Sequence, residues 1–202
     1  LDMMLSSGED GFSMGEVYAL YNPFRIHHRY PKCVCGNASC SLWNELKQIS
    51  EKKVYLEIFK KFPKVTHIVD SSKNPFWIDS QKKQLEAIGI DVYNILIWKN
   101  PVEFAMSVYK KNTKMDWIRP WKAYHRLYFS LINNWLSIPY SKLVKYPSIT
   151  VSQLCDYIGI NYFRGKEYFW NFNHHTLFGS GSAKIHLQDN NIILLICFIF
   201  AS

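Results

Sequence analysis

The sequence predicts an α/β domain built around a parallel strand-helix-strand unit, and three observations predict it. A β-branched, strand-like stretch at 65–69 ends in the polar turn Asp70-Ser71-Ser72-Lys73. A second strand-like stretch, 92–98, holds the apolar run Ile95-Leu96-Ile97-Trp98 and ends in Lys99-Asn100-Pro101. Between them, 75–88 has helical periodicity, opens on Pro75 and is closed by Gly89. A crossover helix of that kind is what two parallel strands need. In open parallel sheets ligands bind beyond the C-terminal ends of the strands, and both polar turns fall there.

Composition narrows the class. A chain of 202 residues with 48% hydrophobic content is long enough to bury a core. Its formal charge of +8 and pI near 9.2 point to an acidic partner or a phosphorylated ligand. The lysines are scattered in pairs such as Lys82-Lys83 and Lys110-Lys111, which reads as solvated helix faces and not as a nucleic-acid tail. Five cysteines in a chain of this length do not make a disulfide scaffold. The apolar stretch 192–201 is shorter than the roughly 20 residues a transmembrane helix needs. With no signal peptide visible, a cytoplasmic location is expected.

The remaining elements follow in order. Residues 1–5 read as the end of a helix and 6–15, with Gly8, Gly11 and Gly15, as a loop. A short apolar segment at 16–21 closes at Asn22-Pro23. The next loop carries His27, His28, Cys33, Cys35 and Cys40. Helices are expected over 42–49 and 51–62, the second stopped by Pro63. After the 92–98 strand, Asn100 suits an N-cap, Pro101 the first helical position and Glu103 the carboxylate of a capping box. Val102, Ala105, Met106 and Tyr109 continue at helical spacing. Apolar positions 117, 121, 124, 128, 132 and 135 form one helical stripe, which reads as core. Residues 140–146 read as extended, 149–158 as a helix capped by Gly159, and 170–186 as a polar, glycine-containing loop.

Four constellations could carry chemistry. Two strand-end turns with Lys73, Lys99 and several hydroxyls, each opening a helix, outline a site for a polyanion. Cys33, Cys35 and Cys40 with His27 and His28 upstream could hold zinc. Their Cys-x-Cys spacing is tighter than the usual knuckle, so loop thiols are the favoured reading and no metal is expected. Glu16 is a lone carboxylate after a glycine loop, in the position of a general base or of a surface glutamate. Gly179-Ser180-Gly181 with Lys184 and the preceding His174-His175 could wrap a phosphate with backbone amides.

Taken together these motifs resemble those of the sulfotransferases that use 3′-phosphoadenosine 5′-phosphosulfate, in particular a broad, mostly bacterial group. Residues 95–107 resemble the 3′-phosphate strand-turn-helix, with Lys99 where the family has arginine, Asn100 for aspartate, and Ser107 eight positions on. Residues 69–73 are similar to that group's DSSK turn. Cys33-Val34-Cys35-Gly36 through Cys40 and Trp43 are similar to its CxCG segment. Tyr140 to Val144 with Pro147, then 154–159, resemble its YEDL tract.

The resemblance covers about 1–186 and leaves 187–202 as a hydrophobic tail outside the family pattern. It implies a three-layer α/β/α fold with a parallel sheet, of the P-loop nucleoside-triphosphate-hydrolase type. The first strand and glycine-rich loop of that fold would precede Leu1. It also implies roles for individual residues. Glu16 would be the base, with His28 as runner-up, and Lys73 would lie near the transferring group. Lys99 and Ser107 would hold the 3′-phosphate, supported by Ser180, Gly181 and Lys184. Lysine for arginine keeps the charge and loses the bidentate fork. The expected reaction is sulfuryl transfer to a hydroxyl or amine of a small-molecule, carbohydrate or lipid acceptor, without nucleic acid. The alternatives are a non-catalytic nucleotide-binding remnant and a zinc-stabilised nucleotide or nucleic-acid binder.

Overall fold

The computed structural model describes residues 1–110 and 116–178. In chain order the elements are α1 (Asp2–Leu5), β1 (Gly11–Gly15), α2 (Tyr18–Tyr21), a 3-10 turn (Ile26–Arg29), α3 (Leu42–Leu46), α4 (Val54–Lys61), β2 (His67–Asp70) and α5 (Pro75–Glu86). There follow β3 (Asn94–Trp98), α6 (Pro101–Tyr109), α7 (Ile118–Leu131), β4 (Trp135–Pro139), α8 (Tyr140–Lys145), α9 (Pro147–Ile158) and a 3-10 turn (Phe169–Asn171). The described residues form two compact units, Leu1–Ser72 with 147–178, and Lys73–Tyr146.

In the first unit β1 and β2 pair in parallel, Phe12 opposite Ile68 and Ser13 opposite Val69, with a register shift before Gly15 meets Asp70. The connection between them carries α2, α3 and α4, the crossover that parallel pairing requires. On α4, Val54, Tyr55 and Ile58 are buried on one face, and on α9 Thr150, Val151, Leu154 and Cys155 are. Leu5, Met14, Leu20, Trp43 and Leu46 join them in the core.

The strand β1 corrects the expectation of a loop over 6–15. Three glycines in ten residues read as a loop, yet two of them are required by backbone that comes close. A Cβ on Gly11 would lie 2.7 Å from the Ser6 Cα, and one on Gly15 only 1.9 Å from the Leu177 carbonyl oxygen. Glycine within a strand often marks such an approach.

In the second unit β3 and β4 pair in parallel from Asn94 opposite Trp135 to Trp98 opposite Pro139, with α6 and α7 between them. Leu96, Tyr128 and Ile132 form a buried cluster against which Ile78, Tyr124 and Leu131 pack. Two expectations are corrected here. The helical stripe 117–136 stops at Leu131, because Asn134 takes a left-handed conformation (φ 57°) and 135–139 becomes β4. Asparagine tolerates that conformation, so Asn133-Asn134 is the break that the apolar spacing concealed. Residues 140–146, expected to be extended, contain α8, with Tyr140 and Leu143 buried one turn apart. Short apolar runs fit either periodicity.

The strand-helix-strand unit at 65–98 forms in sequence, but its strands take other partners: β1 for β2, and β4 for β3. At the end of β3 the local prediction holds in detail. The Glu103 amide donates to the Asn100 side-chain oxygen at 2.9 Å, and the Glu103 carboxylate accepts from the Asn100 amide at 3.2 Å. Asn100→Ala is expected to cost about 1 kcal/mol in urea unfolding, and Asn100→Asp to cost much less.

Candidate functional site

The second unit places Lys99 and Ser107 together. Lys99 leaves the end of β3 and is buried, 7% exposed. Its Nζ donates to the Ser107 Oγ at 3.1 Å and sits 4.4 Å from the centre of the Tyr140 ring. Ser107 is itself buried on the inner face of α6. An ammonium held against a π face and a hydroxyl is a cation fixed in place. The Ser107 oxygen accepts from Lys99, which directs its own hydroxyl proton elsewhere. One donor of full charge and one neutral donor at the end of a parallel strand suit a phosphate oxygen.

The capping box shifts this cationic locus away from the turn. Asn100 occupies the Glu103 amide, and the Glu103 carboxylate itself lies at the helix N-terminus. The anion-binding character expected of that turn therefore rests on Lys99 and Ser107 and not on the first-turn amides.

In the first unit, Glu16 and the Asp70 turn follow β1 and β2 at the C-terminal edge of their pair. Glu16 is half-buried, and its amide donates to the Leu177 carbonyl at 2.9 Å. The turn is tied into backbone. The Ser72 amide donates to Asp70 at 2.7 Å, Tyr55 donates its hydroxyl to Asp70 at 2.7 Å, and the Tyr18 amide donates to the Ser72 Oγ at 2.9 Å. Lys73 follows, half-buried, at the start of the second unit. Ser180, Gly181 and Lys184 lie outside the described residues, as does the tail 187–202.

His28 is buried in an aromatic nest, 4.4 Å from Phe24, 4.2 Å from His27 and 4.8 Å from Phe178 between ring centres. Burial, with the neighbouring His27 and Arg25, holds its pKa below the ordinary histidine range. Its Nδ1 is buried without a hydrogen-bond partner among the described residues.

The cysteine loop finds a different histidine. Cys33, Cys35, Cys40 and His175 present ligand atoms that all lie within 4.8 Å of one another. His175 replaces His27 and His28 as the imidazole beside the thiols. Burial raises the Cys33 thiol to about 12, with Cys35 and Cys40 beside it adding to the rise. His174, expected to share a phosphate loop, is buried and donates from Nε2 to the Phe169 carbonyl at 2.8 Å. Lys166, which sequence reading did not single out, is fully buried and donates to the Ser7 carbonyl at 2.8 Å. Burial lowers its pKa. No sequence signal marked it, since a lysine in a turn is ordinarily exposed.

This is a mixed α/β chain with short parallel strand pairs. Among solved structures it is similar to a sulfotransferase domain from the curacin biosynthetic pathway. The TM-score is 0.51, with 17% identity, over 82% of this chain and 71% of that one. The likeness is one of fold, and the short parallel strand pairs are consistent with a sulfotransferase-like fold. No protein-family model matches the chain, and no curated protein matches it. No helix among the described residues is long and apolar enough to cross a membrane.

Proposed function

We propose that the protein transfers a sulfuryl group from 3′-phosphoadenosine 5′-phosphosulfate to a hydroxyl or amine. The observation that carries this reading is the buried contact between Lys99 and Ser107 at 3.1 Å, on the eight-residue step of the 3′-phosphate motif. The fold likeness supports it. The proposal includes the three-layer arrangement with a phosphate-binding loop, and a domain spanning 1–186.

The co-substrate would supply the activated sulfuryl group. Lys99 and Ser107 hold its 3′-phosphate, with Ser180, Gly181 and Lys184 in support. Lys73 neutralises charge on the leaving phosphate. Glu16 takes the proton from the acceptor, a small molecule, carbohydrate or lipid. Holding acceptor and donor in line supplies much of the rate.

Calorimetry of 3′-phosphoadenosine 5′-phosphate with the full-length protein tests the reading. Lys99→Ala removes a charge-assisted bond of about 1.5–3 kcal/mol and should weaken binding by about tenfold or more. Ser107→Ala should weaken it about fivefold. No binding by the full-length wild-type protein would overturn the proposal. Binding without sulfate transfer to any acceptor class would leave a nucleotide-binding module.

A further inference from the structure

We propose that Cys33, Cys35, Cys40 and His175 form a structural zinc site that pins the cysteine loop to the segment running under Glu16. The four ligands come from two distant stretches of the first unit, and the fold brings them together with no help from sequence proximity. Cys33 makes an antiparallel bridge to Leu177, which sets the loop beside 175–177. After Cys35, Gly36 takes φ 77° with open space around it and turns the chain. The Ser39 amide donates to the Asn37 side chain at 2.9 Å and the Cys40 amide to the Asn37 carbonyl at 3.1 Å, so the loop folds back and returns Cys40 to the same locus.

His175 is oriented independently of the thiols. Trp43, 1% exposed, donates from Nε1 to the His175 carbonyl at 2.7 Å. The Phe12 ring lies parallel to the imidazole, with 5° between planes and 6.2 Å between centres. The Nδ1 is thereby aimed at the sulfurs, 3.3 Å from Cys33 and 3.7 Å from Cys40. Tetrahedral zinc, with bonds of about 2.3 Å to sulfur and about 2.0 Å to nitrogen, sets ligand atoms about 3.5–3.8 Å apart. The two separations from Nδ1 fall around those values, and all four ligand atoms lie within 4.8 Å of one another.

Three thiolates and one imidazole fill the four positions of a structural zinc site and leave none open for a substrate or water. Soft sulfur donors with tetrahedral spacing select zinc over magnesium or calcium. The site has a definite load to carry. Two residues beyond His175, the Leu177 carbonyl accepts from the Glu16 amide and packs against Gly15. The metal would thus fix the segment on which the end of β1 rests. This inference does not depend on sulfuryl transfer.

Elemental analysis of the full chain, purified without a metal-affinity tag or chelator, is expected to return about one zinc per molecule. Replacing zinc by cobalt should produce thiolate-to-cobalt charge-transfer absorption. Cys35→Ser and His175→Ala should each weaken zinc binding by more than about tenfold. Because those variants could simply misfold, the wild type is also stripped with chelator under reducing conditions. Its melting temperature should fall and return on adding zinc, with no such return on adding magnesium. The proposal is overturned by a wild type that takes up neither zinc nor cobalt. A disulfide among Cys33, Cys35 and Cys40 in the freshly isolated protein overturns it too, as does iron in place of zinc. Zinc affinity unchanged in His175→Ala removes the histidine from the set and overturns it as stated.

Discussion

Gly15→Ala is expected to destabilise the first unit by about 3–5 kcal/mol, near the upper end of single-substitution effects. Two causes add. Gly15 has φ 62°, a left-handed conformation that costs an L-residue about 1–2 kcal/mol. The larger cause is steric. The new Cβ would lie 1.9 Å from the Leu177 oxygen, 2.7 Å from its carbonyl carbon and 2.8 Å from its amide nitrogen. All three are backbone atoms, so no side chain can swing away. Relief means displacing the segment that bridges Cys33 and accepts from the Glu16 amide, with the loss of those bonds.

Gly159 separates the two causes. It has φ 71° and nothing within 4 Å of a built Cβ, so Gly159→Ala should cost only the conformational part, about 1–2 kcal/mol. Urea midpoints for the two variants decide the matter, and equal shifts would remove the steric account. Since His175 lies two residues before Leu177, Gly15→Ala should also weaken zinc retention, while Gly159→Ala should not.

The legible parts of this chain were those governed by neighbours in sequence. The Asn100–Glu103 capping box, the Pro75 helix start and the left-handed Gly89 and Gly159 formed where their residue types required. Lys99 and Ser107 were paired by the resemblance to the 3′-phosphate motif, and the fold brings their side chains within 3.1 Å. Pairing was not legible. The glycines of β1 concealed a strand because their cause, close backbone at Ser6 and Leu177, lies elsewhere in the chain. His175 was read with its neighbours in a glycine-serine loop, whereas its partners sit 135 and 142 residues away. His27 and His28 were the nearer histidines and are held instead by Phe24 and Phe178. Proximity in sequence ranks candidate ligands, and backbone pairing such as Cys33 with Leu177 selects among them.

Asp2→Asn should stabilise the protein at neutral pH and have no such effect in acid. The Asp2 carboxyl sits in the first turn of α1, and its Oδ1 is out of contact with solvent. Desolvation raises its pKa from 3.8 to about 6, against the lowering effect of the Ser13 and Ser71 hydroxyls, with Asp70 adding to the rise. The folded state therefore holds a proton that the unfolded chain releases between 3.8 and about 6. Over that window the unfolded state binds fewer protons, so stability falls as pH rises. The penalty is absent below 3.8 and fully present above about 6.

A shift of that size corresponds to about 3 kcal/mol. Asparagine keeps the shape and can still pair with a hydroxyl, but carries no charge to desolvate. Urea midpoints of wild type and Asp2→Asn should therefore converge below 3.8 and diverge above about 6, the variant being the more stable. A difference between them that is constant across this range would mean that Asp2 acts through packing and not through its charge.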